Sequence, residues 1–444
     1  MKLSWITTGL VAFVLLIAVA PALAAAEEPD AVDDIILLLR ERGVIDEGDA
    51  TRIIERNRVA EKKESWFDRI SFFGDMRGQY ENFWYDEDPL GDIKKNRSRL
   101  RYRFRVGART EINDHVDFAF QLTTGTSGRS PNQTLGSGGG DFGPDAFNVR
   151  QAYLTYHPFA DGSIPLGGRK LDVMFGKMPN LFYSKVGKNY LMWDSDFAPE
   201  GIAGTYEIEP VEDVSLTFST AYFVADENAN MSSPALFPAQ IGVKAGLGDN
   251  VSVGGRLTYY GWRYLDDDFH NGDETLLTAA ADRSGSTQFG NIPGGLTDGK
   301  LVDIGEVRAW LKFTGIENWP ILAYGSFSKN FSAESVALFN AGREDLAWSI
   351  GLEIGDKKKF AKLGAGYFWL EANAVPAQMV DGFIFDGTTN DKGWAVYGVK
   401  EVYAHTDLKF TLYLDEPLDD DIIWEPAVAN SDRTRLQVDV VVKF

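Results

Sequence analysis

The chain has 444 residues, no cysteine, four histidines and a formal net charge of −21 at pH 7. The lack of cysteine excludes a disulfide framework, thiol catalysis and cysteine-ligated metal sites. The strongly negative balance argues against nucleic acid as a partner, because phosphate contacts require lysine and arginine.

The sequence carries no motif for catalysis or for metal binding. The GxSxG and HExxH patterns and the EF-hand loop do not occur in it. His115, His157 and His405 fall at predicted turns, and no two of the four histidines have the spacing of metal ligands. We therefore predict that the protein is not an enzyme and that it uses no cofactor and no metal.

Residues 1–24 have the pattern of a secretory signal peptide. Lys2 provides the basic start, residues 10–20 form an apolar run, and residues 22–24 form a small-x-small cleavage pattern. A membrane anchor is the alternative, but the run is shorter than the ~20 apolar residues of a membrane-spanning helix. Cleavage after Ala26 would fit equally well.

Residues 25–66 form a segment of different character, for which we predict two short periplasmic α-helices. Asp34 precedes the apolar run 35–39, Gly43 interrupts the pattern, and residues 53–54 continue it in a second helix. The run is too apolar for a lone short helix in water, so it should pack on another surface. That surface would be the second helix, a sister chain or the mouth of a β-barrel formed by the rest of the chain. A disordered, charged linker is the alternative.

From Ile70 to the C-terminus, apolar and polar residues alternate with a period of two, which is typical of β-strands with two unlike faces. Trp348 and Ile350, for example, alternate with Ser349 and Gly351. Strands are predicted at 70–85, 97–112, 115–124, 147–157, 170–177, 201–208, 213–224, 239–247, 251–262, 301–314, 321–330, 346–355, 360–370, 393–403, 407–415 and 433–444.

The connections between these strands alternate between short and long. Short links include 113–114 and 248–250, and long ones include 125–146 and 263–300. Outer-membrane barrels have this order, with short periplasmic turns, long external loops and an even strand count, whereas a soluble β-sandwich has no reason for it. For residues 67–444 we therefore predict an all-β fold, a transmembrane antiparallel β-barrel of about sixteen strands in the cell outer membrane.

A column of arginines is the most informative internal feature. Arg99, Arg101, Arg103, Arg105 and Arg109 share one face of the strand 97–112. On the lipid face each would cost ~2–4 kcal/mol at the bilayer midplane, so they should face a wet lumen. They would form a basic wall that attracts anions, or be neutralised by acidic groups of neighbouring strands or of an inward loop. The two interpretations are compatible.

Other charged residues are predicted on the lumen face. The basic ones are Arg77, Lys244, Arg256, Arg308, Lys312, Lys362, Lys409, Arg433 and Arg435. The acidic ones are Glu81, Glu111, Asp172, Glu207, Glu306, Glu353 and Asp439. Because the whole chain is acidic, the excess acid should lie in the N-terminal segment and in loops. The acidic runs 266–268 and 419–421 would either bind divalent cations that bridge lipopolysaccharide or simply be solvated.

The third long link, 178–200, is unusually apolar and aromatic for an external loop, and it also carries Lys185, Lys188, Asp194 and Asp196. A loop of this composition should not be exposed to water. Our hypothesis is that it folds into the barrel and narrows the pore. Packing against the outer rim or a neighbouring subunit is the alternative.

The last strand ends in an aromatic residue. Apolar residues alternate through 433–444 and the stripe finishes at Phe444, which resembles the signal that the outer-membrane assembly machinery reads. This strand must pair with the first strand near Ile70 to close the wall, since an open sheet edge is not tolerated in lipid.

Four segments together resemble a known family. They are LLLRERGVI at 37–45, RLRYRFR at 99–105, QAYLTY at 151–156 and VMFGKMP at 173–179. Their order is similar to that of the Gram-negative putative porin family and, more distantly, to the phosphate-selective porins and the general sixteen-stranded trimeric porins. Phosphate selectivity is not implied, because a full lysine and arginine ladder around the lumen cannot be matched.

The resemblance implies passive diffusion of small hydrophilic solutes and ions, by a homotrimer surrounded by outer-membrane lipid and lipopolysaccharide. In general porins the third loop constricts the pore opposite a basic wall, which corresponds here to 178–200 and to Arg99–Arg105. Two other functions stay open. One is a structural tether that links the barrel to the cell wall through its helical N-terminal segment. The other is a barrel plugged by its loops, such as an adhesin.

Overall fold

The computed structural model describes most of the barrel and part of the N-terminal segment. The described residues are 31–53, 69–85, 96–125, 130–136, 143–160, 168–188, 191–225, 227, 233–263, 301–335, 342–376, 379–382, 389–419 and 432–444. The predicted signal peptide, the acidic run 266–268 and most of the run 419–421 lie outside the described residues.

The described residues form seventeen strands in a single antiparallel sheet. They are β1 (Ser71–Tyr85), β2 (Arg97–Asn113), β3 (Val116–Thr124), β4 (Gln133–Thr134), β5 (Phe147–Tyr156), β6 (Gly168–Lys177), β7 (Glu200–Val211), β8 (Val214–Val224), β9 (Ala235–Gly246), β10 (Val251–Arg263), β11 (Leu301–Phe313), β12 (Ile321–Asn330), β13 (Leu346–Ile354), β14 (Lys362–Leu370), β15 (Asp391–Tyr403), β16 (Thr406–Pro417) and β17 (Arg433–Lys443).

The sheet closes into a barrel, because β1 pairs with both β2 and β17. Sixteen long strands make up the wall, which confirms the predicted fold class. The remaining strand, β4, has two residues and pairs only with β2, where Thr134 lies opposite Arg101. It belongs to the second long loop, which turns back along β2, and the sequence did not predict it.

Burial follows the predicted alternation along each strand. In β13, Ile350 is 61% and Leu352 is 51% exposed, whereas Ser349 and Glu353 are buried. An isolated barrel exposes the side chains that would lie against lipid and covers those that face its lumen. The apolar face is therefore the outer face, and each lumen side chain is separated from the next on its strand by one outward residue.

The sequence pattern of strands 147–157, 321–330 and 393–403 does not define a lumen face, and the structure defines it clearly for the last two. In β12, Ser326 and Ser328 are buried while Phe327 is 46% exposed. In β15, Tyr397 is buried while Trp394 is 50% exposed. The larger apolar groups on these strands thus point outward, with a few aromatic residues kept for the lumen.

Two short helices precede the barrel. The first, α1, spans Ala31–Glu41, and the second, α2, is described over residues 47–53. Gly43 lies between them with a φ of +66°, a conformation that glycine adopts without strain. Asp46 caps α2, because its Oδ1 accepts a hydrogen bond from the backbone N–H of Asp49 at 2.7 Å.

The helices cover only part of their apolar surface. Ile36 and Ala50 are buried, but Ile35, Leu38 and Val44 are 58%, 50% and 66% exposed. Among the described residues, no helix is both long and apolar enough to cross a membrane. The two predicted helices are present, and a large apolar face stays uncovered on them.

The last residue completes the closure of the barrel. The N–H of Gly74 donates to the carbonyl of Phe444 at 2.9 Å, and the N–H of Phe444 donates back to the carbonyl of Gly74 at 3.1 Å. The Phe444 ring lies over Gly74, with its centroid 6.3 Å from that of Phe104 on β2. The absence of a side chain at position 74 lets this terminal ring reach across β1.

Substitution of Gly74 by valine should therefore impair closure. A Cβ at this position would overlap the carbonyl oxygen of Arg105 and the ring of Phe444, whereas one at Gly78, on the same face of β1, would meet nothing within 4 Å. We expect Gly74→Val to reduce the folded fraction strongly and Gly78→Val to leave it near the unsubstituted level, measured by heat-modifiable migration in gel electrophoresis. Equal folded fractions for the two variants would contradict this account of closure.

Candidate functional site in the barrel lumen

The register of β1 and β2 defines which way the arginine column faces. Arg99 lies opposite Glu81, and Arg105 lies opposite Asp75. Glu81 is fully buried and Asp75 is 7% exposed, so both belong to the lumen face of β1. Since opposite residues of paired strands share a face, the column from Arg99 to Arg105 lies on the lumen side as well.

Glu81 is the centre of a buried ion cluster. Its carboxylate forms ion pairs with Arg99, with Arg101 at 3.6 Å and with Arg435 of the last strand. The amide Nε2 of Gln437 donates to the same carboxylate at 2.8 Å. One acidic side chain thus joins β1 to both of its neighbours, β2 and β17.

A second carboxylate, that of Asp75, neutralises the next two arginines of the column. Arg103 and Arg105 lie 2.7 Å and 2.6 Å from the two oxygens of Asp75. Asp439 of β17 accepts a hydrogen bond from Gln79 at 2.8 Å, and it lies 4.0 Å from Arg77. Carboxylates on β1 and β17 therefore stand between the guanidinium groups.

Of the five predicted column residues, Arg109 has a different environment. Its side chain is exposed, and its partner on β1 is Ser71. It lies near the end of the barrel that carries the short turns, which we call the short-turn end. The other four each have a carboxylate within 4.0 Å. Sequence reasoning identified Glu81 as a lumen residue but missed Asp75, although Asp75 continues the alternation of Arg77, Gln79 and Glu81.

The third loop, residues 178–199 between β6 and β7, lies against the inner wall. The ring of Phe182 contacts Phe223 of β8 and Tyr260 of β10, with centroid distances of 6.0 Å and 6.4 Å. The indole Nε1 of Trp193 donates to the hydroxyl of Tyr260 at 3.1 Å. Both Phe182 and Trp193 are 1% exposed. These contacts are made with lumen side chains, so the aromatic part of the loop is inside the barrel.

The tip of the third loop reaches the far side of the lumen. Arg308 of β11 donates through Nη2 to the carbonyls of Val186 and Lys188, at 3.4 Å and 3.1 Å. Lys188 Nζ lies 4.7 Å from the centre of the Tyr397 ring on β15. Burial in this position lowers the pKa of the Lys188 ammonium group. The loop therefore extends from β6 as far as β11 and β15 before it returns to β7.

The two predicted acidic residues of the third loop face different partners. The Asp194 carboxylate accepts backbone N–H groups of Asp196 at 2.8 Å and of Gly382 at 3.4 Å. Burial raises the pKa of Asp194 to about 7, with a further contribution from the charge of Asp196. Asp196 lies 3.8 Å from Arg150 and 4.0 Å from Arg103, so it approaches the arginine wall. The remaining predicted residue, Lys185, is exposed.

The seventh loop, between β14 and β15, also enters the barrel with its described residues 371–376 and 379–382, which the sequence analysis did not predict. The N–H of Asp194 donates to the carbonyl of Met379 at 2.8 Å, so the two inner loops are bonded to each other. Arg435 Nη1 donates to the carbonyl of Gly382 at 3.0 Å. Val375 and Val380 are fully buried. The apolar residues around positions 374–380 were the available signal.

The two loops share one apolar cluster with the wall. Its wall members lie on β7 to β16, mostly toward the end of the barrel that carries the long loops. They include Phe223, Tyr260, Phe368 and Tyr413. The ion pairs of Glu81, Asp75 and Asp439 with the arginine column and its neighbours lie on β1, β2 and β17 instead. The lumen thus has an apolar side that holds the loops and a charged side at the seam where the barrel closes.

A closed sixteen-stranded barrel with an apolar outer face and charged residues in its lumen defines the class of outer-membrane β-barrels. The fold is similar to OprB of Pseudomonas putida, solved at high pH, with 12% identity over 85% of this chain and 95% of that one and a TM-score of 0.51. OmpF of Salmonella typhi in complex with daunomycin aligns with 12% identity over 84% of this chain and 97% of that one, with a TM-score of 0.47. The outer membrane channel DcaP of Acinetobacter baumannii aligns with 13% identity over 84% of this chain and 97% of that one, with a TM-score of 0.44.

The family model described as "Putative porin" matches residues 85–289. This match covers just under half of the chain and confirms the resemblance found in the sequence, and the similarity to OprB extends the fold of an outer-membrane barrel over most of the chain. No curated protein matches the sequence.

Substitution of Glu81 by glutamine tests the buried ion cluster. The change leaves Arg99, Arg101 and Arg435 without their shared countercharge, and loss of one partner of a buried pair costs about 3–5 kcal/mol. We expect a clear decrease in the urea concentration at which the folded barrel is lost. Glu111→Gln, an exposed position on β2, is the control and should have little effect. Equal midpoints for both variants would show that the cluster does not stabilise the barrel.

Proposed function

We propose that the protein is a passive diffusion channel for small hydrophilic solutes and ions, and that its third loop narrows the lumen. This proposal rests on the two hydrogen bonds that Arg308 donates to the carbonyls of Val186 and Lys188, which we call the clasp. The clasp fixes the tip of the loop on β11, four strands around the wall from β7, and the tip also reaches Tyr397 of β15 on the opposite side. A fixed loop reduces the cross-section open to a solute, so the channel would filter by size.

The charged side of the lumen would form the wall of the conducting path. Eight arginines have carboxylate partners there or beside it, namely Arg77, Arg99, Arg101, Arg103, Arg105, Arg150, Arg433 and Arg435. Among the described residues, their ion-pair partners include the carboxylates of Asp75, Glu81, Asp196, Asp415 and Asp439. The sharing of one carboxylate by two or three arginines supports a weak preference for anions and a rigid wall.

The proposal keeps the oligomeric state and the membrane partners that the sequence analysis predicts. We propose a homotrimer in outer-membrane lipid and lipopolysaccharide, as the porin resemblance implies. The terminal Phe444 would be the feature that the barrel assembly machinery recognises. Its exposed ring, on the outer face beside Phe104, supports this role.

Single-channel recording in planar bilayers tests the constriction. Deletion of residues 181–193 should raise the conductance, because it removes the part of the third loop that lies across the lumen. Arg308→Gln should give larger current fluctuations, because it removes the clasp while leaving the apolar anchors of the loop. Lys185→Gln, at an exposed position of the same loop, is the control and should behave like the unsubstituted channel.

Unchanged conductance in the deletion variant would contradict the constriction, provided that the variant migrates as a folded barrel. A folded protein that conducts in no variant would instead support a plugged barrel.

A structural tether is the second candidate, because an apolar face of the N-terminal helices is uncovered. Ile35, Leu38 and Val44 are all at least half exposed on a segment that should not stay unpartnered in water. Deletion of residues 27–64 separates the two functions. Unchanged conductance with loss of envelope integrity would favour the tether, and intact envelopes would argue against it.

A further inference from the structure

A second group of lumen cations lies on β9 to β11, away from the arginine column. Arg256 of β10 lies directly opposite Arg308 of β11. Arg308 is 5% exposed and Arg256 is half-buried. Lys244 of β9 and Lys312 of β11 continue the group toward the short-turn end, at the positions that pair with Gly254 and Ser252.

This group differs from the arginine column because its members have no carboxylate at ion-pair distance among the described residues. Within the described part of the chain, no carboxylate lies within the 4.0 Å ion-pair distance of these four cations, whereas Arg99 to Arg105 each have one. The Nη1 atoms of Arg256 and Arg308 are buried and have no hydrogen-bond partner among the described residues. Arg308 Nη2 is engaged by the third loop.

The acidic group that lies nearest along the strand interacts with both guanidinium groups through its charge, but it forms no ion pair within 4.0 Å with either of them. Glu306 is two residues from Arg308 on the same face, and its Oε2 accepts the hydroxyl of Tyr260 at 2.8 Å. Its Oε1 has no hydrogen-bond partner among the described residues, so it makes no bond to either guanidinium. Like charges directly opposite each other in a sheet are destabilising, and buried charges without partners cost more still. A bound anion would remove both costs.

We propose that Arg256 and Arg308, with Lys244 and Lys312 at its rim, form a binding site for a small oxyanion on the inner wall beneath the tip of the third loop. The planar guanidinium group matches the paired oxygens of a carboxylate, sulfate or phosphate. A divalent oxyanion suits two fixed cations best. The site deepens the proposed channel function, because its ligand would arrive through the lumen.

Sulfate is the probe, and it is measured in two ways. Equilibrium dialysis of labelled sulfate against the folded, detergent-solubilised protein should give saturable binding. Sulfate added to a chloride solution should lower the single-channel current with the same half-saturating concentration. Arg256→Gln should raise that concentration about tenfold, the factor expected for the loss of one charge-assisted hydrogen bond. Arg256→Lys, which keeps the charge, should recover part of the affinity.

Arg263→Gln is the matched control, since Arg263 lies on the same strand but pairs with Asp303 at 2.9 Å. It should bind sulfate like the unsubstituted protein. Absence of saturable binding by the folded protein would overturn the site, and so would equal affinities for Arg256→Gln and Arg263→Gln. If sulfate binds but no current is recorded, the site stands and the channel function fails. If current flows and sulfate does not bind, the channel function stands and the proposed oxyanion site fails.

Discussion

The buried carboxylate of Glu81 holds together the part of the barrel where its two ends meet. It pairs with arginines of β2 and of β17, the strands on either side of β1. Strand pairing alone would close the sheet, but the seam joins residues that are more than 350 positions apart in the chain. An ion cluster shared by three strands favours one register over its alternatives, because a slip by one residue would turn these charges toward lipid.

This concentration of charge at the seam also determines how the lumen is divided. The opposite side of the barrel carries aromatic and aliphatic side chains inside as well as outside, and these need cover from water. The third and seventh loops provide that cover with Phe182, Trp193 and Val375. Because the loops are buried on the apolar side, the water-filled part of the lumen is expected along the charged side. Arg256 and Arg308, which have no carboxylate at ion-pair distance among the described residues, are an exception, since they lie among the strands that support the loops.

Much of the fold could be predicted because lipid imposes a period of two on every strand, and alternating link lengths give the strand count. The strand edges moved by a few residues where backbone pairing continues past the apolar pattern, as in β9, which begins at Ala235 rather than at 239. The entry of the seventh loop was not predicted, because the apolar stretch that signals it is short and interrupted. The partners of the arginines also depended on register, which brings Asp75 opposite Arg105.

The location of the third loop in the conducting path is the central claim, and the cysteine-free chain allows a direct measurement of it. A single Lys188→Cys substitution would give the only thiol, which a methanethiosulfonate reagent can enlarge during a single-channel recording. The account predicts an irreversible decrease in current for this variant and none for Lys359→Cys, at an exposed short turn outside the lumen. A current that stays constant after demonstrated modification of the cysteine at position 188 would contradict it.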